Sequence, residues 1–117
     1  MSDATNPKNP SNEQPTGTVL PLGSMVLLHT DDATRPSPPV VVIGRGVLTK
    51  RDGRTGLFDY AAVPYPQGLV DSNRVLFLNR EDVARVLFVG YTDATEQRFE
   101  QDYDRLVAES GHQYLDA

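Results

Sequence analysis

Two β-forming runs joined by an Asp-Gly turn constrain this chain more than any other feature. Val40-Val41-Val42-Ile43 continues through Gly44-Arg45-Gly46 into Val47-Leu48-Thr49, and Leu57-Phe58-Asp59-Tyr60-Ala61-Ala62-Val63 returns after Arg51-Asp52-Gly53-Arg54. Asp and Gly both tolerate positive φ, which the tightest hairpin turns demand. β-Branched side chains favour extended backbone and pack well on a pleated surface. The run at Val40 has no polar alternation, so it belongs on a strand buried on both sides or at the centre of a sheet. The glycines that interrupt it mark a bulge or a close backbone approach, the bends by which a small sheet curls.

Shorter elements fit around this hairpin. Residues 24–29, Ser24-Met25-Val26-Leu27-Leu28-His29, read as a first strand, and residues 30–39, with Asp31-Asp32 and three prolines, as a loop. Pro64-Tyr65-Pro66-Gln67-Gly68 stops the return strand because proline donates nothing to a ladder. A fourth strand is expected over 74–78. One helical turn follows, with Asn79 as N-cap and Asp82 three residues on. A fifth strand is expected over 84–90, with Val86 and Phe88 on one face and Leu87 and Val89 on the other. Asp93 or Thr92 caps a last helix, Glu96 completes a capping box with Asp93, and Gly111 ends the helix. Phe99, Tyr103, Leu106 and Val107 form its apolar face.

The fold class expected is α+β, mainly β: a small curled antiparallel sheet or barrel of about five strands, closed by a C-terminal amphipathic helix. Residues 1–17 hold no large apolar side chain after Met1 and are expected to be a disordered polar tail. Residues 18–111 form the single domain, and 112–117 are a C-terminal tail with His112 in a frayed end.

Charge and composition narrow the function. The net charge of −5 speaks against nucleic-acid and anionic-membrane partners, which call for clustered Lys and Arg. Most of it lies in the last helix, where residues 93–109 carry two basic and six acidic side chains. The chain has no Cys, which excludes disulfides, thiolate metal sites and thiol catalysis. Met1-Ser2-Asp3-Ala4 lacks the basic start and apolar core of a signal peptide, and no apolar run reaches membrane-spanning length. A cytoplasmic location is expected.

No residue pattern points to catalysis. His29 and His112 are the only histidines, and neither has a partner at metal-ligand spacing. Gly44-Arg45-Gly46 has too few glycines, and no following helix, to cradle a phosphate. Arg45 and Asp59 lie on strands that pair, so a structural cross-strand ion pair between them is expected. Asp31-Asp32 and Glu81-Asp82 are adjacent acids, whereas carboxylate chemistry needs groups converging from separate elements. Gly23-Ser24-Met25 lacks the second glycine of a nucleophile elbow. The reading is a non-enzyme with no cofactor and no metal. Tyr60, Tyr65 and Tyr91, with Arg45, are the candidate protein-contact residues. Self-pairing of the β domain is left open.

Motifs occurring in a fixed order carry a family resemblance. They are Leu20-Pro21-Leu22-Gly23-Ser24-Met25-Val26, Ile43-Gly44-Arg45-Gly46, Phe58-Asp59-Tyr60, Pro64-Tyr65-Pro66-Gln67-Gly68, Phe77-Leu78-Asn79-Arg80-Glu81-Asp82-Val83 and Val86-Leu87-Phe88-Val89-Gly90-Tyr91. Over residues 20–99 the chain resembles the small bacterial domain-of-unknown-function family 4176, whose members tend to be encoded in type VII (WXG100/LXG) secretion loci of Gram-positive bacteria. The resemblance implies an accessory or chaperone-like factor that binds a secreted LXG-type toxin or effector. It implies no catalytic residue. The family's recurring residues match at Pro21, Gly23, Gly44, Asp59, Tyr60, Pro66, Gly68, Asn79, Asp82, Gly90 and Tyr91, mostly turn and cap types that suit fold maintenance. The alternatives are an immunity protein that neutralises a toxin, its acidic surface mimicking nucleic acid, and a nucleic-acid-binding small barrel.

Overall fold

The computed structural model describes residues 17–30 and 37–117. Of the polar tail expected over residues 1–17, all but Gly17 lies outside the described residues, as does the Asp31-Asp32 pair. The hairpin forms as its turn chemistry dictates. Strand β2 (Val40–Arg51) pairs antiparallel with β3 (Arg54–Pro64) from Val40↔Pro64 to Arg51↔Arg54. Asp52 (φ 53°) and Gly53 (φ 79°) both take the left-handed conformation at the turn. The ladder slips once: Val42 faces Ala62 and Gly44 faces Ala61, which leaves Ile43 as the extra residue of a bulge. Val40 and Val42 are buried while Ile43 faces solvent. The strand is therefore central, as the apolar run suggests, but it is buried on one face near the bulge rather than on both.

Strands β1 (Met25–Leu28), β4 (Leu76–Leu78) and β5 (Val83–Phe88) complete an open five-stranded sheet in the order β4-β3-β2-β1-β5. It does not close, so the barrel alternative falls and, among the described residues, β4 and β5 are its edges. Arg74 belongs to no strand. It ends a 3-10 turn at Ser72–Arg74, capped by the Asp71 carboxylate, which accepts from the Asn73 amide at 2.8 Å. Two register shifts between β1 and β5 alter the expected alternation. Val83 and Val86 both reach the core despite their odd spacing, and Phe88 is turned into solvent instead of sharing the face of Val86. Bulges change side-chain direction without changing composition, so the sequence pattern alone does not reveal them.

Helix α1 (Ala94–Ser110) is capped by Asp93, whose carboxylate accepts from the Glu96 amide at 2.9 Å, and it stops at Gly111 in the left-handed conformation. Tyr103 is buried in the core with Val26, Val42, Tyr60, Leu78 and Val86, and Phe99 and Val107 pack against that core. Leu106 stays half in solvent. Beyond Gly111 the chain does not fray. Leu57 N–H donates to the Gln113 carbonyl at 2.9 Å, and Leu115 N–H donates to the Leu57 carbonyl at 3.0 Å. Leu115 is buried against Gly56, where an added Cβ would sit 2.4 Å from Leu115 Cγ. A glycine that looks like a strand weakness is thus the seat of the C-terminal segment.

Candidate functional site

Two regions stand out, one by its buried charge and one by its exposed apolar surface. Asp59 is the centre of the first. One carboxylate oxygen, Oδ1, accepts from the Tyr103 hydroxyl at 2.9 Å and the Tyr114 hydroxyl at 2.8 Å. The other, Oδ2, accepts from Arg80 N–H at 2.9 Å and Arg80 Nε at 3.2 Å. Arg80 also donates to Asp104 at 3.0 Å and to the Gly17 carbonyl at 3.1 Å. Asn79 extends the node: its Oδ1 accepts from Asp59 N–H at 3.0 Å, and its Nδ2 donates to the Leu115 carbonyl at 2.7 Å. The one-turn helix at Arg80–Asp82 holds Asn79 and Arg80 in place, with Asp82 Oδ2 accepting from Asn79 N–H at 2.7 Å in the expected capping box.

This node joins β3, the β4–β5 connection, α1 and the C-terminal segment. Burial raises the pKa of Tyr103 far above the phenol range, and the Asp59 charge adds to the effect. Tyr114 is raised too, by burial and then by its bond to Asp59. Burial works against the Arg80 charge, but Asp59 and Asp104 more than offset it, so its affinity for the proton rises. Both tyrosines are therefore held as donors and the guanidinium as charged. The Asp59 oxygens are occupied by four donors and have no free direction for a substrate. The cleft at its mouth, about 250 Å³, is lined by Asp59, Arg80 and Tyr114, whose polar groups are engaged in the node, and by the exposed Glu81.

Arg45 does not pair with Asp59. It lies opposite Tyr60 on the ladder and turns to α1, where its Nη1 donates to Glu96 and, at 3.3 Å, to the Leu20 carbonyl. Its guanidinium lies 4.3 Å from the Phe99 ring centroid. The side chain is 9 % exposed, and its Nε is buried without a hydrogen-bond partner among the described residues. Glu96 is thus drawn to Arg45 rather than back to the helix cap. Tyr60 is fully buried, and its hydroxyl accepts from Leu20 N–H at 2.9 Å. Burial pushes its pKa up to about 12. Neither Arg45 nor Tyr60 is placed to touch a partner, because both are used to hold residues 17–20 on the sheet.

Tyr65 and Tyr91 do face solvent, but apart from each other. Tyr65 follows the β3 end, before a cis peptide at Pro66, and Gly68 closes that turn by donating to the Pro64 carbonyl at 2.7 Å. Tyr91 follows β5 and is 79 % exposed, beside Phe88 at 61 %. Leu87 and Val89 are also exposed. Gly90 fixes this end of the sheet, with its amide donating to the buried Ser24 Oγ at 3.0 Å. A Cβ there would fall 2.0 Å from the Leu22 carbonyl oxygen. Pro21 and Gly23 shape the facing turn: Ser24 N–H donates to the Pro21 carbonyl, and Gly23 N–H donates to the Val42 carbonyl at 2.8 Å. Leu22 and Ile43 are exposed as well.

The outer edge of β5 has no strand partner among the described residues. From Val83 to Thr92 the only charge is Arg85, and there is no proline. Of the devices by which exposed edges are normally protected, this one has a single charge and the two register shifts against β1, with no proline and little shortening. The other edge, β4, is three residues long. Alternation sets Phe88 on the face of Val86 and Leu87 and Val89 on the other, so the exposure of all three is not visible in the sequence. Nothing in the sequence marks Arg80 or Tyr114 as members of the node, and Glu96, expected to complete a capping box with Asp93, pairs with Arg45 instead.

Among the described residues, no three His, Asp or Glu side chains converge as metal ligands, and no helix is long and apolar enough to cross a membrane. No curated protein and no solved structure matches the chain. The family described as Domain of unknown function (DUF4176) matches residues 19–99, which hold the whole sheet and the first turns of α1 but neither Tyr103 nor the C-terminal segment. The match spans well over half the sequence, so the chain belongs to the DUF4176 family.

Proposed function

We propose that this protein is a non-enzymatic binding factor that receives an extended strand of a protein partner along the outer edge of β5. The observation that carries the reading is the largely apolar outer edge leading to Phe88, Val89 and Tyr91, with one charge at Arg85, in a molecule whose buried charged groups are engaged in holding the fold. Strand addition draws affinity from main-chain hydrogen bonds and specificity from alternate side chains, and it needs only an accessible edge. The partner is a toxin or effector of a type VII secretion system, kept soluble or competent for export in the cytoplasm of the producing cell. That context rests on the family resemblance.

The immunity alternative draws less support. Nucleic-acid mimicry needs an unneutralised acidic face, and on α1 Arg105 pairs with Asp102 and Glu109 while Arg80 takes Asp104. A base-stacking barrel loses Tyr60 to the core. The test is co-expression with the effector encoded beside this chain's gene. Co-elution on size exclusion, lost on Phe88→Lys, is expected. Separate elution of the two proteins at micromolar concentration would sink the reading.

A further inference from the structure

Strand β3 runs from Arg54 to Pro64, but its outer neighbour β4 pairs with it only at Tyr60, Ala61 and Ala62. The edge before Asp59 is taken instead by the chain's own residues 113–116. Both main-chain groups of Leu57 are used there: its N–H donates to the Gln113 carbonyl, and its carbonyl accepts from Leu115 N–H. Leu57 and Tyr114 thus form a parallel bridge. The Leu115 side chain takes the seat at Gly56, and the Leu115 carbonyl accepts from Asn79 Nδ2. The Tyr114 hydroxyl donates to Asp59, and Arg51 Nη1 donates to the Asp116 carbonyl at 3.2 Å. This is strand addition within one molecule: main-chain bonds hold the segment, while a leucine seat and an acceptor for a phenol select it. Of residues 113–117 only Leu115 is buried.

The tethered segment uses only part of the edge. Alternate residues of a strand turn their N–H and C=O to the same side, so Thr55 faces outward as Leu57 does. The segment does not follow it there. It comes off α1 at Gly111, and among the described residues no main-chain bond joins residues 111–113 to Thr55. A cleft of about 410 Å³ is lined by Arg54 and the exposed Thr55 on one side and by residues 111–115 on the other.

We propose that the outer edge of β3 from Thr55 to Asp59 is a second peptide-binding site, which takes an extended segment of a protein partner carrying tyrosine followed by leucine. Tyr114 and Leu115 occupy it in cis until that segment displaces them. A free strand running parallel to β3 pairs with Thr55 as well as Leu57, and so gains main-chain bonds that the tethered one lacks. That gain is what allows it to compete with a segment held at high effective concentration. The site lies on the β4 side of the sheet, at the other end of the strand order from β5, so its success or failure is independent of the β5 edge.

The test is an NMR titration of the isotope-labelled full chain with a synthetic peptide of the sequence of residues 109–117, whose first residues are free to extend along Thr55. Leu115→Ser, which empties the seat in cis, is expected to bind it about tenfold tighter than wild type does, with shifts at Thr55, Gly56 and Leu57. A shorter peptide, residues 113–117, stops before Thr55 and is expected to bind the variant about tenfold more weakly than the long one. No binding of the long peptide to the variant, or equal affinity for the two peptides, would overturn the site. A wild type that dimerises by exchanging residues 112–117 would reassign it to a second copy and overturn the partner. Amide exchange in the wild type gives a second readout that needs no variant. The Leu57 and Leu115 amides are expected to exchange about a hundredfold faster than the core amide of Val42, because the segment opens alone. Equal rates would show that the segment leaves only when the whole fold opens, which contradicts the proposal.

Discussion

The Asp59 node and the β5 edge are opposites in physical terms. Asp59 is buried, charged and given four hydrogen bonds, with partners from α1, the one-turn helix and the C-terminal segment. The β5 edge is exposed, nearly uncharged and, among the described residues, without a strand partner on its outer side. A buried carboxylate is costly unless every lone pair is met, and here every one is, so the node holds the fold and is chemically spent. An apolar edge costs little to the monomer but invites another strand. Chemical conspicuousness and availability thus point to different parts of this molecule: the most unusual titratable groups are the least free to act.

Breaking the node gives the largest effect. Asp59→Ala takes one of the partners of the half-buried Arg80 and leaves two tyrosine hydroxyls without their acceptor, and loss of about 3 kcal/mol in urea unfolding is expected. A loss below about 1 kcal/mol would mean that the node does not organise the fold. Leu115→Ala comes next. The side chain fills the seat left by Gly56, so about 2 kcal/mol should go, with faster exchange at the Leu57 amide. An unchanged unfolding midpoint would return residues 112–117 to the status of a loose tail. Phe88→Lys should be the smallest, within about 0.5 kcal/mol of wild type, because the ring faces water. A large loss there would show that the edge belongs to the core after all.

How far the sequence discloses this contrast depends on the element. The hairpin was legible because Asp52-Gly53 and the β-branched run act locally, within a few residues. The same holds for the caps at Asn79 and Asp93 and the stop at Gly111. The node was not legible. Asp59, Arg80 and Tyr114 are brought together only by the sheet and the reversal at Gly111, and nothing in their spacing records that. Arg45 and Asp59 on paired strands suggested each other, yet the bulge at Ile43 aligned Arg45 with Tyr60 instead. Tyr60 and Tyr91 look equivalent as tyrosines near strands. One is enclosed by the core and the other stands beyond the end of β5. Tertiary placement, not residue type, separates the two roles.

Binding of the neighbouring effector, measured by calorimetry for wild type and Phe88→Lys in parallel with their thermal unfolding, tests the division between fold and surface most directly. The expected result is binding weakened by about tenfold or more with the unfolding midpoint unmoved. Equal affinity in the two proteins, or no binding by either, would contradict the assignment of the β5 edge as the contact surface.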